Sequence, residues 1–338
     1  MWWCSHAQVV RFSGAGGSWG PIVGPPCRAT RRRLAGRFPR LLPSLQYLIG
    51  ERRVDVIEFP EGWGARLPIA WARRNGVRVV LQCHTSQHVR YFFNAEHRPL
   101  LGLRYGLRAR YIRHNLLAAD AVLACSHDIA LLTADYSKVH PDRFEVIPHA
   151  FSREAQPGLQ VVSSGEDDGY FLVVGNFEYL NGHDLLRCAY ERHRAQGGNR
   201  TVRWAGPVAA PPAHSVPEGL CFLGLVPKEK LAHVGLRATA VAIASRLEPF
   251  SVVAGEAILN GCPLVLSRRA GWRDLPWRSQ AALLAGPLDT DRFARALRLV
   301  EDPDTRERLE AGAKGAAAFL TLEELVLRTF DLYQGLVP

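Results

Sequence analysis

Two glutamates with seven residues between them, Glu248 and Glu256, are the side chains whose spacing most clearly allows chemistry. They flank the transition from an apolar, strand-like run at 239–244 to a helix predicted over 252–260. Ser251 is a suitable N-cap for that helix because its hydroxyl oxygen can accept a hydrogen bond from the first turn. The pattern predicts that both carboxylates lie near a helix N-terminus.

A helix N-terminus attracts anions, since its first amides have no partner inside the helix and the helix dipole is positive there. The amides of Phe250, Ser251 and Val252 would therefore face a bound phosphate. Glu256 lies about 7 Å farther along the helix. Its carboxylate can accept two hydrogen bonds from a vicinal diol. This offset is the one expected between a phosphate and the ribose of one nucleotide.

Two further segments end predicted strands, the place where open α/β sheets gather their ligands. His84 follows the predicted strand 77–83. A second loop runs from Gly175 to Gly182, between a predicted strand at 170–174 and a helix predicted to begin at His183. Histidine at a strand end is also common as a hydrogen-bonded loop residue, so His84 is a candidate and not an assignment.

These segments, in this order, resemble the retaining glycosyltransferases of family 4. The resemblance is carried by Ser-Arg-Leu-Glu-Pro-Phe-Ser at 245–251 and by Asn-Gly-Cys-Pro-Leu-Val-Leu-Ser at 260–267. Val-Asp-Val-Ile-Glu-Phe-Pro at 54–60 and Ala-Asp-Ala-Val-Leu-Ala-Cys-Ser at 119–126 match as well. The resemblance covers roughly residues 50–335. It implies a GT-B-like α/β fold of two open Rossmann-like domains that face a cleft, with parallel sheets and helices on both faces.

The resemblance also implies roles. Glu248 would face the donor sugar, His84 would lie near the reacting sugar, and Glu256 would hold the ribose of a nucleotide diphosphate sugar. The diphosphate would be bound by the loop after the strand at 170–174 and by the helix N-terminus, which together comprise Gly175, Asn176, Asn181, Gly182, Phe250, Ser251 and Val252, with Arg246 nearby.

The diphosphate loop departs from the family pattern at two positions. Asn176 and Asn181 stand where the family usually has an arginine and a lysine. A cation there would neutralise the leaving diphosphate, an electrostatic contribution often worth several kcal/mol. Asparagine donates hydrogen bonds but brings no charge. Arg246 or Arg268 could supply the missing charge from across the cleft, or the chain could bind its donor and turn it over poorly.

The positive charge is concentrated at the start of the chain. The formal net charge is +10, with 42 basic and 32 acidic residues. Residues 1–53 contain nine arginines, no lysine and one acid, Glu51. The remainder is nearly neutral and matches no nucleic-acid-binding module, so nucleic acid is not expected as a partner. The basic leader, with Arg104, Arg108, Arg110 and Arg113, would permit peripheral contact with an anionic membrane.

The compartment is predicted from cysteines and hydropathy. The seven cysteines are scattered and contain no Cys-x-x-Cys pair, which favours free thiols in a reducing compartment. Neither a signal peptide nor an apolar run long enough to span a bilayer is recognised. We therefore expect a cytoplasmic protein, at most peripheral to the inner face of the membrane.

Alternating strand and helix patterns, with helices at 41–50, 228–237 and 303–319 among others, predict parallel βαβ units. Residues 1–40 are expected to be an irregular basic leader, because Pro25 and Pro26 follow a glycine-rich stretch where the family has a helix. We predict an acceptor-side domain over 41–151, a polar linker over 152–169 and a nucleotide-sugar domain over 170–338 with closing C-terminal helices. The linker is predicted from its Pro, Gly, Ser and acidic residues.

The sequence thus predicts a retaining sugar transfer from a nucleotide diphosphate sugar to a glycan or lipid-linked hydroxyl acceptor. Neither an Asp-x-Asp motif nor a His and carboxylate cluster typical of metal-assisted transfer is recognised, so neither a metal nor another cofactor is expected. The alternative is a catalytically weak or inactive homologue that binds a nucleotide sugar or glycan. Asn176 and Asn181 are the reason to keep it open.

Overall fold

The structure is a computed structural model that describes residues 8–11, 20–21, 54–61, 66–84, 102–149, 151, 169–208, 216–227, 230–231, 234–235, 237–269, 271–272, 278–286, 288–320 and 322–337. The helix predicted at 41–50 and nearly all of the predicted linker lie outside these residues. The chain divides into two compact units: residues 1–148 together with 327–338, and residues 149–326.

The first unit contains one six-stranded sheet with the strand order β2-β1-β3-β4-β5-β6. Strands β3 to β6 are parallel, whereas β1 is antiparallel to both β2 and β3. The strands are β1 (Gln8–Arg11), β2 (Gly20–Pro21), β3 (Val56–Pro60), β4 (Arg78–Cys83), β5 (Ala121–Ala124) and β6 (Phe144–Val146), and the helices are α1 (Arg66–Arg74), α2 (Gly102–Ala118) and α3 (His127–Ser137).

Strands β4 and β5 are buried along most of their length because helices cover parallel sheets on both faces. Strand β5 is accordingly a continuous apolar run, and β4 contains Val-Val-Leu at 79–81, which made both strands recognisable in the sequence. Helix α3 begins at an N-cap, Ser126, whose hydroxyl accepts a hydrogen bond from the Ile129 amide, and ends at Lys138 in the left-handed conformation (φ 55°). These caps fix where the helix starts and stops.

Part of the predicted irregular leader is extended. In β1, Val9 pairs with Ile57 of β3, and Val10 pairs with Pro21 of β2. The β-branched Val9 and Val10 favour a strand, and pairing with β3 supplies the backbone hydrogen bonds that a four-residue segment could not satisfy alone.

The second unit contains a six-stranded sheet, entirely parallel, in the order β12-β11-β10-β7-β8-β9. Its strands are β7 (Tyr170–Val174), β8 (Thr201–Ala205), β9 (Leu220–Gly224), β10 (Ala240–Ile243), β11 (Leu264–Ser267) and β12 (Ala282–Ala285), and its helices are α4 (His183–Ala195), α5 (Val252–Leu259), α6 (Arg278–Ala281), α7 (Thr290–Leu299) and α8 (Pro303–Ala316). Its core includes Phe171, Tyr190, Trp204 and Phe293.

The predicted strand and helix positions agree closely with these elements, and both sheets confirm the predicted α/β class. Helix α8 is shorter than the predicted 303–319, because Ala317–Leu320 form a 3₁₀ turn. The predicted helix 228–237 is described only in fragments.

The last helix, α9 (Leu322–Leu336), contributes residues 327–336 to the first unit. There the Tyr333 hydroxyl donates a hydrogen bond to the Glu58 carboxylate in β3. Arg328 donates to the Val146 carbonyl at 3.0 Å. Within the described ranges, no helix is both long and apolar enough to cross a membrane.

Candidate functional site

Three loops gather at the carboxyl ends of adjacent strands in the second unit. They follow β7, β10 and β11, which are neighbours in the sheet. We call residues 175–182 the β7 loop, residues 244–251 the β10 loop and residues 268–272 the β11 loop. Because parallel strands end at the same edge, these loops form the place where ligands of open α/β sheets bind. Ten of the eleven predicted site residues lie on the first two loops or on α5.

The β7 loop is anchored to the end of β8. Its first amide, Gly175 N, donates to the Ala205 carbonyl at 2.9 Å. The Trp204 indole Nε1 donates to the Gly175 carbonyl at 2.8 Å. A Cβ on Gly206 would come within 1.9 Å of that same carbonyl oxygen, so only glycine allows this approach. The start of the loop is therefore held in one conformation.

One of the two asparagines that replace basic residues, Asn181, forms a hydrogen bond within the β7 loop. Asn181 Nδ2 donates to the Asn176 carbonyl at 2.9 Å. Asn181 closes the 3₁₀ turn Tyr179–Asn181, after which Gly182 adopts the left-handed conformation (φ 71°) ahead of α4. The Asn181 side chain thus has a structural partner within its own loop. It also carries no charge, so it does not replace the positive charge of a lysine.

The β10 loop packs directly against the β7 loop. A Cβ on Gly182 would lie 2.1 Å from the Ala244 carbonyl oxygen, closer than any side chain permits. The Arg246 amide donates to the Leu180 carbonyl at 2.9 Å. The two loops are therefore joined by backbone contacts as well as by their side chains.

The Arg246 side chain completes this junction. Its guanidinium makes two parallel hydrogen bonds of 2.6 Å to the Asp184 carboxylate in the first turn of α4. It also donates to the Tyr179 carbonyl at 2.7 Å, and its carbon lies 3.6 Å from the centre of the Tyr179 ring. Arg246 is 7% exposed. It belongs to the same unit as the loop, so our expectation that it reaches the loop from across a cleft is wrong.

Charge and burial act in opposite directions on Asp184. Burial raises the pKa of its carboxyl, but the hydrogen bonds and positive charge of Arg246 outweigh that effect and hold the pKa below its usual value. The pKa of the Arg246 guanidinium is raised, since Asp184 outweighs the opposing effect of burial. Both groups are ionised at neutral pH, and their charges compensate each other.

Glu248 is positioned by the β11 loop. Its amide donates to the Arg269 carbonyl at 2.9 Å, and Ser245 Oγ lies 3.5 Å from its carboxylate oxygen Oε2. A Cβ on Gly271 would lie 2.2 Å from the Pro249 carbonyl oxygen, so the backbones of the two loops are in close contact. Glu248 itself is partly exposed.

The N-terminus of α5 has the predicted cap. Ser251 Oγ accepts a hydrogen bond from the Ala254 amide at 3.2 Å, and the serine is buried. Val252 is 44% exposed at the first helical position. The Phe250 ring is buried and stacks on Trp272 at 5.0 Å, so its side chain belongs to the core and only its backbone is available to a ligand. Glu256 lies farther along α5 and is partly exposed.

His84 lies in the first unit at the end of β4. Burial lowers the pKa of its imidazole, which is therefore neutral at pH 7. Its carbonyl oxygen accepts a hydrogen bond from Cys125 Sγ at 3.4 Å. His84 belongs to the first unit, whereas the three loops belong to the second.

Glu61 was missed in the sequence. It follows β3, its amide donates to the Gln82 carbonyl at 3.1 Å, and it is only 4% exposed. Burial raises the pKa of its carboxyl to about 7, although hydrogen bonds from the backbone of Glu61 and His84 act in the opposite direction. The only signal in the sequence was a glutamate directly after a strand that ends in proline.

Arg268 is the other arginine that we expected to supply positive charge to the diphosphate. It follows β11, its amide donates to the Ala285 carbonyl at 3.0 Å, and its side chain is exposed. Unlike Arg246, it is presented toward solvent at the edge where the three loops gather.

Two Asp-x-Asp sequences do occur in the chain, at 289–291 and 302–304. Asp289 and Asp302 are the N-caps of α7 and α8 and accept hydrogen bonds from the Arg292 and Thr305 amides. Asp291 is paired with Arg192 at 3.0 Å. Both sequences thus have structural roles. In the part of the chain that the structure describes, no group of three or more His, Cys, Asp or Glu side chains is arranged to hold a metal.

Two family models match successive parts of the chain. Residues 8–154 match Glycosyltransferase Family 4, and residues 159–316 match Glycosyl transferases group 1. The first match begins at β1, well before residue 50, where the sequence resemblance was expected to start.

Curated relatives agree with these matches. The D-inositol 3-phosphate glycosyltransferase of Frankia alni is 29% identical over 78% of this chain and 70% of its own length. A protein of the same name from a Nocardioides species is 30% identical over 50% of this chain and 42% of its own length. Glycogen synthase of Mycobacterium tuberculosis is 30% identical over 42% of this chain and 36% of its own length.

Solved structures share the fold. Sucrose-phosphate synthase of Thermosynechococcus elongatus superposes with a TM-score of 0.69 at 19% identity, covering 93% of this chain and 82% of its own. Anabaena HepE in complex with UDP has a TM-score of 0.66 at 16% identity, covering 88% and 82%. The two sheets, parallel except at β1 and β2, and these neighbours show a GT-B-like fold with two Rossmann-like domains.

Proposed function

The chain belongs to glycosyltransferase family 4, and from this premise we propose that it is a retaining, metal-independent enzyme. It would transfer a sugar from a nucleotide diphosphate sugar to a hydroxyl acceptor in glycan, polysaccharide or glycolipid synthesis. The observation that carries the proposal is the junction of the β7, β10 and β11 loops, which presents Glu248, Glu256 and the capped N-terminus of α5 at one edge of a parallel sheet.

The donor would bind along α5. Its diphosphate would accept hydrogen bonds from backbone amides at the start of α5, which Ser251 caps. The positive end of the helix dipole would also attract the diphosphate there. The Glu256 carboxylate would accept hydrogen bonds from the ribose diol. Glu248 would face the transferred sugar. The HepE neighbour was solved with UDP and with UDP-glucose, which supports a nucleotide diphosphate as the first class of ligand to test.

The charge of the leaving diphosphate would be met by Arg268. Asn181 is bonded to its own loop and Arg246 to Asp184, whereas the Arg268 side chain is exposed at the same edge. The leaving phosphate would take the proton of the acceptor hydroxyl, which requires no protein nucleophile. His84, neutral at pH 7, would contact the reacting sugar.

The proposal is tested with purified protein and a panel of nucleotide sugars, with transfer and donor hydrolysis as readouts. Glu248→Gln should lower transfer at least about a hundredfold, the size of effect seen on removing a group that stabilises the transition state. Glu256→Gln should chiefly raise the donor KM, since it contacts the nucleotide and not the reacting bond.

Glu307→Gln on the exposed face of α8 is the matched control and should leave both parameters unchanged. Absence of both transfer and hydrolysis with every donor, in protein that is folded, would overturn the proposal.

A second candidate is a catalytically weak homologue that binds a nucleotide sugar or glycan as a regulatory component. The uncharged Asn176 and Asn181 favour it. Asn181→Lys separates the two candidates. A large gain in rate identifies the native loop as the defect and supports the weak homologue. No gain supports an active enzyme whose charge comes from elsewhere, provided that the unmodified protein is active.

For the acceptor we propose a glycan or lipid-linked hydroxyl. Helix α2 supports peripheral contact with an anionic membrane because it contains no acidic residue and exposes Leu107, Arg108, Arg110 and Leu117. Sedimentation with vesicles containing anionic lipid tests this contact. Binding should fall with added salt and with Arg108→Glu and Arg110→Glu together, and equal binding to neutral vesicles would contradict it.

A further inference from the structure

We infer that Arg246 is a positioning residue of the donor site: with Asp184 and Tyr179 it forms a clamp that fixes the β7 loop, and it does not bind the diphosphate itself. The role in donor binding rests on the proposed function, but the effect of the clamp on the β7 loop can be measured without any donor. It also replaces the sequence-based expectation that Arg246 binds the nucleotide sugar.

The Arg246 guanidinium donates to two partners, Asp184 and Tyr179. One nitrogen, Nη1, donates both to Asp184 Oδ1 and to the Tyr179 carbonyl, and Nη2 donates to Asp184 Oδ2. The face of the group stacks on the Tyr179 ring. Two parallel bonds to one carboxylate form the strongest and most directional pairing available to arginine. Three of the five N–H groups of Arg246 are used in this way, and the residue is only 7% exposed, so little of the group is available to a diphosphate.

The clamp connects three elements of the second unit. Tyr179 belongs to the 3₁₀ turn of the β7 loop, Asp184 to the first turn of α4, and Arg246 to the β10 loop. The backbone bond from Arg246 to Leu180 lies beside the clamp. Because Arg246 is almost fully buried, its side chain holds the turn and the helix start to the end of β10.

The clamp also compensates the negative charge of Asp184. A carboxylate in the first turn of α4 stabilises the helix but would repel a second anion at the same N-terminus. The ion pair with Arg246 cancels the Asp184 charge at close range. The clamp therefore does two things for a diphosphate without touching it: it fixes the β7 loop, and it neutralises the Asp184 carboxylate at the start of α4.

The variants Arg246→Lys and Arg246→Gln separate positioning from direct binding. Lysine keeps the charge but loses the fork and the stacking. We expect both variants to weaken binding of a nucleoside diphosphate about tenfold, because each breaks charge-assisted bonds of the clamp. We also expect amide hydrogen exchange in residues 175–186 to become about tenfold faster in both. Arg187→Gln, which breaks the exposed Arg187–Glu191 pair on the same helix, is the matched control and should change neither.

Near-normal diphosphate affinity in Arg246→Lys, beside a large loss in Arg246→Gln, would assign Arg246 to direct charge neutralisation and overturn the clamp. Unchanged exchange of residues 175–186 in both variants would also overturn it. If the unmodified protein binds no nucleoside diphosphate, the proposed function fails, and the exchange data alone then decide whether the clamp exists.

Discussion

At the scale of single residues, Glu61 is a buried carboxyl group whose protonation should make the stability of the protein depend on pH. Its carboxyl lies at the end of β3 beside the His84 backbone, and burial raises its pKa to about 7. In an unfolded chain the same group titrates near 4.3. The folded protein therefore holds this proton across a pH range in which the unfolded chain has already lost it.

The sign of the effect follows from proton linkage. Between about pH 4.3 and 7 the folded state binds more protons at Glu61 than the unfolded state, so its contribution to stability falls as pH rises. The full difference is on the order of 3 kcal/mol. Glu61→Gln lacks this titration. Its free energy of unfolding, relative to that of the unmodified protein, should rise by about 2 to 3 kcal/mol between pH 5 and pH 8.

Urea unfolding of the two proteins at both pH values measures this change. The buried amide has lost one acceptor, so the variant can be less stable than the parent at pH 5. Only the change with pH carries the prediction. A difference that is the same at pH 5 and pH 8 would show that Glu61 titrates normally in the folded protein.

At the scale of elements, the close contact between the β7 and β10 loops depends on Gly182. Gly182→Ala adds a Cβ 2.1 Å from the Ala244 carbonyl oxygen and also places alanine at φ 71°. The left-handed conformation alone costs about 1 kcal/mol. We expect an additional loss of about 2 kcal/mol or more from the clash, since packed backbone cannot move far.

Gly197→Ala is the matched control. It lies in the same unit at φ 83°, and its added Cβ would meet nothing within 4 Å. Thermal or denaturant unfolding should show a small loss for Gly197→Ala and a clearly larger one for Gly182→Ala. Similar losses in the two variants would mean that the β10 loop withdraws freely from Gly182, and that the junction is not rigid.

Most elements could be predicted because each buried strand of a parallel sheet is a short apolar run between polar turns. Tyr170–Val174 is one such run and was placed correctly to the residue. Strand β1 was missed because a four-residue strand beside a glycine-rich segment gives almost no periodic signal.

The contacts within the site could be predicted less completely than the strands and helices. The Ser251 cap is a local feature of the chain and was anticipated. The pairing of Arg246 with Asp184 joins residues 62 positions apart, which no local pattern contains. Asn181 was recognised as unusual, but its bond to the Asn176 carbonyl depends on the fold of the loop. Glu61 was missed because burial, and not residue type, makes its carboxyl unusual.

At the scale of the whole molecule, Tyr333 ties the last helix to the first unit. Its hydroxyl donates to Glu58 in β3, and burial raises the pKa of both groups. Tyr333→Phe would leave the Glu58 carboxyl without this donor. We expect a loss of about 1 to 3 kcal/mol in the stability of the first unit.

A double-mutant cycle with Glu58→Gln tests the pair, with unfolding followed by protease digestion of sites in the first unit. The two substitutions should be non-additive, as expected for residues in direct contact. Additive losses would show that the hydroxyl and the carboxyl stabilise the protein independently.

The return of residues 327–338 to the first unit also has a consequence for biosynthesis. A ribosome delivers the amino-terminal part of a chain first, and domains generally fold as units in that order. Here the chain must be translated through all of the second unit before the segment that covers β3 is released. The first unit is therefore synthesised first but can complete its folding only after the second unit has been translated. Until then its sheet lacks the contacts that α9 makes with β3.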